Sequence, residues 1–116
     1  MEAKEFYVFR SLLSEVHFKA FGEPLSKLSH SKAQTLSWLI HEATGDLLCY
    51  KSLSNYMAAA CDEKPDAVNP TDATLSILAR FVSGEVAQSG RHQMRMGNYA
   101  TWYKYRSSVL TRLIAA

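Results

Sequence analysis

Apolar residues recur along this chain at steps of three and four, the signature of helices that bury one face. Phe6, Phe9, Leu13 and Val16, widened by Leu12, predict a first helix over about residues 3–20 that stops at Gly22, with Pro24 just beyond. A second stripe, Ala33, Leu36, Leu39, Ile40 and Ala43, ends at Gly45; Ser31 and Gln34 at its start have the spacing of a capping box. Asp46 to Leu48 form a turn in which Leu47 or Leu48 plugs the angle between helices. A third helix is expected from about Tyr50 to Cys61. Leu53, Tyr56 or Met57, and Ala60 face its core side, and Tyr50, Lys51, Ser54 and Asn55 the other. After a charged loop comes a fourth helix, with Asn69 as its cap, Pro70 in first position and Asp72 in its first turn. Leu75, Leu78 and Val82, helped by Ile77 and Phe81, are its inner face, and Gly84 lies past its end. Residues 85–97 are polar and read as a loose linker. The last helix spans 98–114, with Tyr99, Trp102, Tyr103, Arg106, Val109, Leu110 and Leu113 along one face.

The expected fold is therefore all-α: about five helices in a single domain, residues 1–116, around a central helix-turn-helix unit over 31–84. A length of 116 residues and a hydrophobic share of 47% suffice for a core without staples. Cys49 and Cys61 show no paired-ligand or redox spacing, so free thiols in a reducing compartment are expected. Absence of a signal-peptide pattern and of a long apolar run leads to the expectation of a cytoplasmic chain with no membrane span.

Charge sharpens this picture. Residues 1–69 carry seven Lys and Arg against nine Asp and Glu, whereas residues 70–116 carry six against two. No acid follows Gly90, while Arg91, Arg95, Lys104, Arg106 and Arg112 do. Such a one-sided basic end attracts phosphate or an acidic partner, or is simply a solvated helix face. His17, His30, His41 and His92 include no pair at four-residue spacing, so no metal or cofactor site is expected. No nucleophile-and-base signature or phosphate-binding glycine loop is present, which argues against an enzyme.

Residues 33–82 resemble the repressor-like helix-turn-helix family of the lambda-repressor and Cro type. Gln34 stands where that family often opens its first motif helix, and Gly45 marks the turn. Cys49-Tyr50-Lys51-Ser52-Leu53 starts the recognition helix, and Pro70 to Leu75 reads Pro-x-x-x-Thr-Leu. The pattern is most similar to an atypical bacterial subgroup with a leading helix and a longer turn. The resemblance implies a transcriptional regulator that binds duplex DNA as a homodimer. Its third helix would enter the major groove, with Lys51 on phosphate and Tyr50, Ser54 and Asn55 near base edges. Gln34, Arg91 and Arg95 would complete the DNA contacts, the two arginines on the backbone. Tyr99, Trp102, Tyr103, Arg106 and Leu110 are the expected dimer surface, aromatics and Arg being enriched in such contacts. Their alternative role is packing against the first helix. Lys51 is the only base between Leu47 and Glu63, so a protein-interaction module of the same fold without DNA binding remains the rival.

Overall fold

A computed structural model describes residues 1–84 and 100–115, and it is all-α. In chain order the helices are α1 (Ala3–Phe21), α2 (His30–Thr44), α3 (Tyr50–Cys61), α4 (Asp72–Ser83) and α5 (Ala100–Ala115). A single 3-10 turn, Pro65–Ala67, lies between α3 and α4. No described helix is long and apolar enough to cross a membrane.

Helix α1 packs against α3, α4 and α5, as α4 packs against α1, α2 and α5, and the buried stripe of α1 is correspondingly broad. Val8 and His17 join the expected Phe6, Phe9, Leu12, Leu13 and Val16 inside. Phe9 meets Tyr56 of α3 edge-to-face, with ring centroids 5.4 Å apart. His17 is fully buried but satisfied. Its Nδ1 donates to the Glu23 carbonyl at 3.0 Å, leaving Nε2 to accept from the Ser26 hydroxyl at 3.2 Å. These two bonds pin the α1–α2 connector against the end of α1. Lys19 donates to the carbonyls of Phe81 and Val82, so a cation from α1 covers the free carbonyls at the end of α4.

Two helix starts differ from expectation. Ser29, not Ser31, caps α2, its hydroxyl accepting from the Lys32 amide at 3.2 Å. Ser31 lies inside the helix, where its carbonyl accepts from Thr35 Oγ1. Thr71, not Asn69, caps α4 and accepts from the Thr74 amide at 3.2 Å, with the buried Pro70 just outside the helix. In both cases a neighbouring hydroxyl reaches the third amide of the first turn, and that contact fixes the start.

The aromatic face of α5 is turned inward. Trp102 is 2% exposed and Val109 3%, both within the common core, and α5 packs chiefly on α4 and also on α1. Tyr105 stacks beside Trp102 and bonds Ser11 and Glu15 of α1; burial first, then the Glu15 carboxylate, raises its hydroxyl pKa, so it stays a neutral donor. Arg106 grips Glu5 through Nε, at 2.8 Å, and through Nη2. Of the expected dimer surface this corrects Trp102, which is interior; Arg106 is held by Glu5 with its side chain 34% exposed, and Leu110 is partly buried against the core. Tyr103 remains half-exposed and donates to Asp72 at 3.3 Å, while Tyr99 lies outside the described residues.

Hydrogen bonding from Arg106, opposed by partial burial, holds the Glu5 carboxyl below its ordinary value of 4.5. A folded-state pKa below the unfolded one contributes stability above the ordinary value, and loses it as pH falls through the lowered one. Glu5→Gln is therefore expected to flatten the acid limb of a thermal-midpoint curve measured below pH 4.5. With side chains 34% and 29% exposed, the pair is worth only about 0.5–1 kcal/mol after solvent screening. An acid limb identical in the variant would show that the pair contributes nothing.

Candidate nucleic-acid interface

The unit formed by α2, residues 45–49 and α3 is assembled by polar side chains as much as by apolar ones. Thr44 is buried, its hydroxyl donating to the Ile40 carbonyl at 2.7 Å and accepting from the Asp46 amide at 3.2 Å. Gly45 then turns the chain at φ 80°, a left-handed conformation that disfavours any side chain, and its amide closes on His41. Of the two leucines that follow, Leu48 is buried and Leu47 is 72% exposed. Buried Ser37 of α2 donates to the Leu48 carbonyl, so the turn is fastened to α2 by backbone as well as side chain.

Helix α3 opens at Cys49, whose extended backbone lets its carbonyl accept from the Leu53 amide at 3.1 Å. The Cys49 thiol is exposed, and the amides of Lys51 and Ser52 at the helix start lower its pKa. Leu53, Met57 and Ala60 point into the core, with Ala59 also buried, and Tyr56 is only partly so. About half a turn away, Lys51 and Asn55, four residues apart, centre the exposed face. Tyr50 and Ser54 flank that face and are half-buried. Tyr50 meets His30, the first residue of α2, edge-to-face at 5.1 Å. Gln34 is exposed one turn beyond His30 on the same side of α2. Five of the expected DNA-facing residues, Gln34, Tyr50, Lys51, Ser54 and Asn55, thus belong to one two-helix unit. Arg91 and Arg95 lie outside the described residues.

The electrostatics are spare. Lys51 is the one formal charge on α3 and has no carboxylate within ion-pair distance among the described residues. Lys27 pairs with Asp62 beyond the other end of α3 at 3.0 Å, and Lys32 pairs with Glu23 at 3.4 Å. The start of α3 therefore combines an ammonium outside any ion pair with the partial positive charge of a helix N-terminus. Among the described residues no group of His, Cys, Asp and Glu could hold a metal ion.

Two expectations for the α2 stripe change. Ala43 is exposed and Leu39 only partly buried, while Ser37 and Thr44 take interior places through the hydrogen bonds above. Sequence patterning also missed Arg80 of α4, which is buried and donates through Nη2 to Asp46 Oδ2 at 2.6 Å. Its one signal was a basic residue inside the otherwise apolar run from Ile77 to Val82. No family model matches this sequence, and no curated protein or solved structure matches it either.

Proposed function

We propose that this chain binds duplex DNA as a helix-turn-helix protein, a transcriptional regulator of the bacterial type, with α3 lying in the major groove. The observation that carries the reading is the outward pair Lys51 and Asn55 on a short helix anchored from behind by Leu53, Met57 and Ala60. An asparagine can read adenine through two hydrogen bonds, and an unpaired ammonium suits a phosphate. Ser54 and Tyr50 flank the base-reading position, Gln34 faces the backbone from α2, and Arg91 and Arg95 add phosphate contacts. Trp102 has no part in a dimer contact, since its ring belongs to the core.

Fluorescence anisotropy on mixed genomic duplex fragments across a salt series tests this reading. Affinity is expected to fall as salt rises, with a log–log slope of roughly −0.9 per phosphate neutralised. Joint replacement of Lys51 and Asn55 by Ala should weaken binding by about 1–3 kcal/mol for each DNA-reading side chain removed, with the helical circular-dichroism signal intact. Unchanged affinity in the folded double variant would remove α3 from the account.

A second reading has its own observation. Trp38 of α2 is 59% exposed and Leu47 of the turn 72% exposed, large apolar groups on the same two-helix unit. Exposed aromatic residues favour protein association, so a protein-interaction module is the reading to adopt if duplex DNA is not bound at any salt concentration.

A further inference from the structure

Arg80 belongs to α4, outside the proposed DNA-contacting set, and its side chain is only 8% exposed. Nη2 donates to Asp46 in the turn at 2.6 Å, but buried Nε and Nη1 have no hydrogen-bond partner among the described residues. A guanidinium offers five N–H donors, and buried donors left unmade are costly. The Asp46 carboxylate it meets is 45% exposed, so solvent screens the pair and it returns little for burying the guanidinium. Stability is thus a poor reason for an arginine at this position, and geometry is a better one. Asp46 lies three residues before Cys49, whose carbonyl accepts the opening hydrogen bond of α3. The Ser37 bond and the Thr44 bonds tie the turn to α2; the Arg80 bond ties it to α4.

We propose that Arg80 is a positioning residue for α3: through Asp46 it fixes the turn on α4 and sets the direction in which Lys51 and Asn55 face. The proposal rests on α3 being the DNA-contacting helix, and it makes an unusual demand on the variants. Removing the pair should leave global stability nearly unchanged while loosening the turn and blurring sequence discrimination. Phosphate attraction would survive, because the charge of Lys51 does not depend on its aim.

The test uses the full chain with Arg80→Met and Asp46→Ala combined, beside Arg80→Lys, which keeps a cation within reach of Asp46. Amides of residues 46–53 are expected to exchange about tenfold faster in the double variant, with α1 and α5 unchanged and the thermal midpoint within a few degrees of the parent. On a duplex selected by the parent from a random pool, the affinity ratio over a scrambled duplex should collapse toward one. Affinity for the scrambled duplex should hold, and Arg80→Lys should recover part of the ratio. Unchanged exchange over 46–53, or a global drop in midpoint that accelerates exchange in every helix, overturns the proposal. If the double variant does not fold, Arg80→Met alone, which leaves the 45%-exposed Asp46 side chain solvated, carries the same exchange and discrimination measurements. A parent that binds no duplex would defeat the DNA reading, while the exchange result would still decide whether Arg80 fixes the turn.

Discussion

Trp102→Ala is expected to lower the unfolding free energy by about 3–5 kcal/mol, a large share of what a domain of this size possesses. Trp102 is the largest of the fully buried side chains although it stands in the last helix of the chain. Its indole fills the space in which α5 meets the body, and alanine leaves a cavity there that fixed neighbours close only in part. The polar ties of α5, from Arg106 to Glu5, from Tyr105 to Ser11 and Glu15 and from Tyr103 to Asp72, do not fill that space, and Val109 and Leu110 occupy other places along the helix. Chemical denaturation gives the magnitude, and hydrogen exchange shows where it falls. If α5 undocks before the rest unfolds, its amides lose protection first while those of α1 to α4 keep most of theirs. A loss below about 1 kcal/mol would mean that Trp102 is not packed inside the chain. A variant with intact stability but altered oligomeric state would turn the indole outward.

The helices were legible because three-and-four spacing of apolar residues is a local signal that survives without knowledge of partners. Their starts were less so. Ser29 and Ser31 are both competent caps for α2, as are Asn69 and Thr71 for α4, and the choice falls to the residue whose hydroxyl meets the third amide of the first turn from an extended backbone. The apolar face of α5 was legible too, but not what covers it, since the same Trp102 stripe serves a core or a partner equally well. Interior polar residues were hidden for a different reason. Ser37, Thr44 and His17 are satisfied by carbonyls of Leu48, Ile40 and Glu23, and a sequence does not show that folding brings those atoms within reach. Arg80 runs against the expectation that a lone arginine is exposed, and Asp46 was readable only as a turn residue. On α3 the outward face of Lys51 and Asn55 followed from helical spacing, whereas the meeting of Tyr50 with His30 required the packing of two helices.

Leu53→Ala is the second large effect, and it separates the support of α3 from its proposed use. Leu53 is fully buried and shares one core with Leu36 and Ile40 of α2 and Leu75 and Leu78 of α4. Truncation strips away its packing and leaves a cavity, at an expected cost of about 2–5 kcal/mol. Alanine is also the strongest helix former, so α3 stays helical and the loss is one of packing. Because Leu53 lies on the face opposite Lys51 and Asn55, DNA affinity measured well below the unfolding midpoint should stay near that of the parent. The Lys51 and Asn55 replacements should do the reverse, lowering affinity while leaving the denaturation midpoint in place, since both residues are exposed. Measuring both quantities on both variants therefore checks the orientation of α3 without a structure of any complex. A Leu53→Ala variant with full stability and abolished affinity would place that side chain toward the groove. A stability loss of less than about 1 kcal/mol with unchanged affinity would mean that α3 is not seated on this core.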